Sequence, residues 1–295
     1  MNDKERRLIR YICYNDMRSA KRQARLILEG ITTKKDDYWR GEMLRKLDEA
    51  KGLIELPHAV QGILVAEDLE NFPERKFLVR EQEAEITDKI MKIYRAADKL
   101  AAMGITYTPG LLLYGESGCG KTELARYIAH KAKLPFVYIR FSSLVSSYLG
   151  STQANIAKVF DYAKSAPCVL CFDELDAVGM ARGQKNDVGE MNRIVIALMQ
   201  ELDRMQNDVI IIGTSNRFDR LDPALVRRFS VSHEVLPLSA VEAVELAQSF
   251  FRYAGLDSED LSAWCAETFV ESVPASTVVK KCIEIVVNHV LGEVE

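Results

Sequence analysis

No apolar run in the chain approaches the ~20 residues that a membrane span requires. The first turn, Asp3-Lys4-Glu5-Arg6-Arg7, is charged and lacks the apolar stretch of a secretory leader, so the cytoplasm is the expected compartment. A basic excess is missing too. Lys and Arg number 39 against 43 Asp and Glu, and a net charge of −4 gives no global attraction to nucleic acid. Only the first thirty residues lean the other way: Lys4, Arg6, Arg7, Arg10, Arg18, Lys21, Arg22 and Arg25 outnumber the acids there, a pattern read as a solvated helix face. The six cysteines are scattered. Cys168-Val169-Leu170-Cys171 spells C-x-x-C, but it lies inside an apolar run with no second pair nearby. It reads as small buried hydrophobes rather than a zinc or redox centre. Neither H-E-x-x-H nor G-x-S-x-G occurs, so any peptidase chemistry must come from another polypeptide.

What the chain does have is centred on Leu111 to Thr122, LLLYGESGCGKT. An apolar strand opens into Gly115-Glu116-Ser117-Gly118-Cys119-Gly120-Lys121-Thr122, and an amphipathic helix with Leu124, Ala125, Ile128 and Ala129 follows. Glycines let backbone N–H groups turn inward around a polyphosphate, and the helix adds the positive end of its dipole. Lys121 is placed to reach the outer phosphates and Thr122 to offer a hydroxyl to magnesium. Motif and context together indicate a nucleotide site.

Around this stretch, residues 1–56 read as short helices, with Gly30 and Gly52 as stops, forming either a recruitment or adaptor domain or a mere structural extension. Prolines 57 and 73 bracket a linker at 57–75, and Lys76 to Arg80 is a short strand candidate. A long helix from Glu81 to Met103 carries Ile86, Ile90, Ile93, Tyr94, Ala97 and Leu100 on one face. Further apolar strands at Phe136–Arg140, Cys168–Phe172, Val209–Gly213 and Val231–Leu236 alternate with helices. The expectation is an α/β fold with a parallel five-stranded sheet covered on both faces, residues 76–237. Three helices over 238–295 form a small all-α lid.

Asp173-Glu174 closes an apolar strand downstream of the phosphate loop, where Asp173 is expected in the magnesium shell and Glu174 to activate water. Asp176 reads as structural. Asn216 ends the next strand, where an amide can bond the γ-phosphate or the water. Arg227 and Arg228 offer planar guanidinium groups for transition-state charge, and their distance in sequence from the loop fits service to a neighbouring subunit. Tyr148-Leu149-Gly150 puts an aromatic and an aliphatic residue beside a glycine in a polar loop. That suits either a grip on an extended polypeptide or a tyrosine folded onto the core.

Phosphate loop, acidic strand end, aromatic loop, strand-end Asn and paired arginines, in that order, resemble the AAA ATPase domain of the AAA+ superfamily over roughly residues 75–295. The adjacent Arg-Arg-Phe at 227–229 is most similar to the ESCRT-disassembling and microtubule-severing branch. The resemblance implies ATP with magnesium, and a homo-oligomeric ring, usually a hexamer, with sites between protomers. It implies further that Tyr148, Leu149 and Gly150 line a pore and pull on a polypeptide substrate. Arg182 and Gly183 would belong to a second pore loop, and Asp203 to a relay between subunits. A separately encoded partner enzyme such as a protease fits the same reading. Glu116 and Cys119 replace the family's usual proline and threonine, and the lid lacks the usual Gly-Ala pair near Pro274-Ala275-Ser276. The alternative is a nucleic-acid-associated AAA+ ATPase of helicase-loader or clamp-loader type. The missing basic stripe counts against it.

Overall fold

The computed structural model describes residues 3–13, 20, 23–25, 27–28, 30–31, 37–49, 56–69, 72, 77–105, 107–139, 151–176, 188–205, 209–256 and 259–291. The chain divides into two units, Met1–Ile54 and Glu55–Glu295. Within the first, α1 (Asp3–Cys13) and α2 (Asp37–Glu49) are helical, and Ala20, Gln23 and Leu28 are buried. A turn at Gly30 follows, and Arg40 Nη1 donates to the Ile31 carbonyl at 2.6 Å.

In the second unit, β1 (Leu64–Glu67), β2 (Gly110–Tyr114), β3 (Phe136–Ile139), β4 (Val169–Phe172), β5 (Ile210–Ser215) and β6 (Val231–Glu234) form one sheet of order β1-β3-β4-β5-β2-β6. The five strands from β2 to β6 run parallel, as their apolar runs predict, and β1 joins β3 antiparallel. Side chains alternate between two covered faces. Phe136, Val169 and Cys171 point to the side packed by Ile90 and Met91 of α3 (Glu81–Ala102) and by Leu124, Ala125 and Ile128 of α4 (Lys121–Ala132). Ile139 and Phe172 point to the other side, against Ile156 and Phe160 of α5 (Ser151–Ser165) and Leu198 of α6 (Val188–Asp203). Burial on both faces is why these strands read as unbroken hydrophobic runs.

The edge strand β1 lies inside the segment read as a linker. It is only four residues long, too short to leave a period-two signal, and Arg126 of α4 staples it by a double contact with Glu67, 2.8 and 3.2 Å. Conversely, Phe77 to Arg80, the described part of the strand candidate Lys76 to Arg80, belong to no strand. Phe77 packs on the sheet core and Leu78 on the lid core, while Arg80 pairs with Glu83 and donates to the Leu236 carbonyl at 3.0 Å.

After a short α7 (Pro223–Val226), the lid comprises α8 (Ala240–Ala254), α9 (Glu259–Thr268) and α10 (Ala275–Leu291) around Leu246, Phe250, Phe251, Cys265, Phe269 and Cys282. A capping box of Ser239 with Glu242 starts α8. Reciprocal backbone bonds of 2.9 Å between Leu238 and Val273 close the lid's base. The loop residues Tyr148, Leu149, Gly150, Arg182 and Gly183 lie outside the described residues. Among the described residues no helix is long and apolar enough to cross a membrane.

Candidate nucleotide site

The site grows from the carboxyl ends of three adjacent strands, β4, β5 and β2, because that is where parallel strands deliver their loops. Gly115 follows β2 with φ 140°, and a Cβ there would run into the backbone oxygen of Val235, so only glycine lets the loop leave the strand here. At Gly118 (φ 82°) the Ser276 hydroxyl of the lid occupies the place a side chain would take, and the Ser276 N–H donates to the Gly118 carbonyl at 3.0 Å. Gly120 is the N-cap of α4 and makes no side-chain cap bond, so the helix's leading N–H groups are not claimed by a capping side chain. Glu116 and Ser117 are exposed, whereas Cys119 is buried and its thiol pKa is raised by that burial, against the opposing pull of Lys121.

Lys121 is itself buried. Its Nζ donates to the carbonyls of Gly115 (2.9 Å) and Glu116 (2.7 Å), and desolvation lowers its pKa from the ordinary lysine value. The next residue, Thr122, donates its hydroxyl to Asp173 Oδ1 at 3.1 Å. That joins the start of α4 to the end of β4. Asp173 Oδ1 also accepts from the hydroxyl of Thr214 in β5. Glu174 takes a left-handed φ of 57°, uncommon for a residue with a side chain, and is exposed at the turn. The Asn216 backbone N–H donates to Asp176 at 3.0 Å, which gives buried Asp176 the structural role read for it. A hydroxyl beside a carboxylate is a hard-oxygen donor pair of the kind magnesium prefers, and the glycine-lined loop with its ammonium suits a polyphosphate. Thr122 and Asp173 therefore fit magnesium, and Gly115 to Thr122 fit the phosphates.

Arg227 and Arg228 are not brought to this loop. Ser230 bonds both the N–H and the carbonyl of Gly110, at 3.2 and 2.8 Å, so the segment after the arginines sits at the opposite end of β2. Five strand residues, about 17 Å, separate that end from Gly115. Arg227 is exposed, and Arg228 makes a two-pronged pair with Asp203 at 2.9 and 2.8 Å while donating to the Ala224 carbonyl.

Residues 111–236 match the family described as ATPase family associated with various cellular activities (AAA). They form an AAA ATPase domain. The domain is 43% identical over 135 residues to "Peroxisomal ATPase pex6" of Schizosaccharomyces pombe, covering 44% of this chain and 14% of that protein. It is 41% identical over 133 residues to "Peroxisomal ATPase PEX6" of Arabidopsis thaliana, 43% of this chain and 14% of that one. "Uncharacterized AAA family ATPase y4kL" of Sinorhizobium fredii is 36% identical over 159 residues, 54% of this chain and 47% of that protein. The chain thus spans less than half the length of the curated relatives it matches.

Three residues at the site carried no sequence signal of their role. Thr214 was visible only as a polar residue at a strand end, and its hold on the β4 turn is a contact across strands. Ser276 meets the phosphate loop from the lid, and the Phe77 ring lies 3.7 Å from where a Gly120 Cβ would be. A motif records neighbours along the chain, not neighbours in space.

Proposed function

We propose that the chain hydrolyses ATP with magnesium, that copies assemble into a ring, usually a hexamer in this family, and that turnover remodels or threads a polypeptide partner. The observation that carries the reading is the approach of Thr122 to Asp173 at the mouth of the glycine loop, with Lys121 one residue away. In this reading Gly115 to Thr122 bind the phosphates, and Lys121 exchanges its two carbonyl partners for phosphate oxygens. Thr122 and Asp173 would hold magnesium, which when bound neutralises charge on the β- and γ-phosphates. Glu174 orients a water and accepts its proton as the water oxygen bonds the γ-phosphorus and the bond to the ADP oxygen breaks. Asn216, the first residue after β5, which lies between β4 and β2, hydrogen-bonds the γ-phosphate.

Arg227 and Arg228 serve the neighbouring protomer's nucleotide. The far-end position of their segment supports this, because neither can span the length of β2 to its own loop. Arg227 is the exposed donor, and the Asp203 pair holds Arg228 beside it. Tyr148, Leu149 and Gly150 grip the polypeptide, and a separately encoded enzyme, such as a protease, can receive it.

The test is Glu174→Gln. It should bind ATP, lose turnover and accumulate as an ATP-dependent oligomer by light scattering; wild-type turnover in this variant refutes the role of Glu174. Arg227→Ala should lose about 10³-fold or more in turnover, the scale of a trans-acting arginine. Mixing it with Lys121→Ala subunits should restore part of the activity, and absence of any rescue refutes shared sites.

A further inference from the structure

We propose that Thr214 is a positioning residue whose hydroxyl sets the Asp173–Glu174 pair for metal and water. The inference deepens the nucleotide reading above and rests on it.

Thr214 lies in β5 and is 1% exposed, so its hydroxyl has no water to satisfy it. Both its roles are filled by the turn that follows β4. The proton is donated to Asp173 Oδ1, and the oxygen accepts the Glu174 N–H at 3.0 Å. The Thr214 carbonyl takes the Leu175 N–H at 2.8 Å. One residue of β5 therefore holds three successive residues of the neighbouring turn. The consequences differ along that turn. At Asp173, the hydroxyls of Thr214 and Thr122 converge on Oδ1, and Thr122 is more distant from Oδ2, at 3.4 Å. That fixes the carboxylate's rotation and leaves Oδ2 the less committed oxygen. At Glu174, the backbone stands at φ 57°, a conformation that side chains resist. The bond from its N–H to the hydroxyl holds the residue there and so aims its exposed carboxylate. Valine matches threonine in shape and suits a buried strand, but offers neither a proton nor a lone pair. Serine offers both.

The experiment compares Thr214→Val, Thr214→Ala and Thr214→Ser with wild type. Hydrogen exchange of the peptide spanning residues 172–175, in the absence of nucleotide, reads the clamp directly. Valine and alanine should each speed exchange about tenfold, and serine should hold it near wild type. With a fluorescent ATP analogue, the magnesium-free affinity should be unchanged. The gain in affinity that magnesium brings should fall about 10-fold in the valine and alanine variants. Their kcat should fall about 10- to 100-fold, the worth of a hydrogen bond to a charged group, with serine restoring it. A valine or alanine variant with wild-type exchange and wild-type magnesium coupling overturns the role of Thr214, provided Glu174→Gln has lost turnover. A wild-type protein that gains no ATP affinity from magnesium overturns the nucleotide reading instead, and the exchange result then still decides whether the clamp exists.

Discussion

Replacing Gly115 by alanine should be markedly more damaging than replacing Gly118, although both have positive φ and both lie in the phosphate loop. At Gly115 the new methyl group meets the backbone oxygen of Val235. Val235 itself is anchored, because its N–H is bonded to the Tyr114 carbonyl at 2.7 Å, so moving the residue away loosens the continuation of the β2–β6 ladder. The φ of 140° is a region reserved for glycine, costing ~1–3 kcal/mol with a side chain present. Loosening the ladder bond adds ~1 kcal/mol, for a total near ~2–4 kcal/mol. At Gly118 the φ of 82° lies close to the left-handed helical region, which costs ~1–2 kcal/mol. The obstructing Ser276 hydroxyl can rotate away, leaving its Cβ at 3.2 Å, which a small lid movement accommodates. Urea unfolding followed by Trp264 fluorescence, in a Trp39→Phe background, reads both variants, since Trp264 packs against Phe251 and Phe269 in the lid. With equal m values, midpoint shifts give the ranking. If Gly118→Ala proves as destabilising as Gly115→Ala, the argument from Val235 is wrong.

Arg126→Met removes the guanidinium that lies over the Phe136 ring together with its contacts with Glu67 and Glu123. It should cost ~1–2 kcal/mol, discounted for partial exposure, and deprotect the β1–β3 ladder in hydrogen exchange; unchanged protection would show that the staple is dispensable. His233 has its pKa lowered chiefly by burial and secondarily by Arg80, while Glu83 and Glu234 pull the other way. Below the ordinary histidine value of 6.5, the unfolded chain takes up a proton that the folded chain resists. The stability contributed by neutral His233 is thus full above that value and is lost as pH falls towards the lower folded pKa. His233→Gln should flatten the fall in urea midpoint between about pH 7 and pH 5.5, and an unaltered slope would assign it to other groups.

The sequence carried the parallel strands, the long helix before β2, the lid and the order of the chemical groups, because each is written in local periodicity or in a contiguous motif. The strand Leu64–Glu67 escaped because four residues cannot establish alternation, and its pairing with β3 is decided by a distant segment. The strand candidate Lys76 to Arg80 is no strand over its described residues, for the complementary reason: Phe77 and Leu78 serve two cores by side-chain packing, without a ladder. The site was legible as types of residue and illegible as distances. Thr122 and Asp173 could be paired from their chemistry, but nothing in the chain announced that Thr214 would hold the same carboxylate. The arginine segment's displacement to the opposite end of β2 likewise follows from Ser230 bonding Gly110, a contact the motif does not encode.

The two carbonyls that receive the Lys121 ammonium give the loop a pair of internal acceptors for its own cation. In the proposed reading, an arriving polyphosphate would swap one set of oxygens for another around a cation already in place, and the cost of curling the backbone would have been met during folding rather than at capture. On that proposal the same oxygens would take the ammonium back when product departs, so every cycle would restart from one shape.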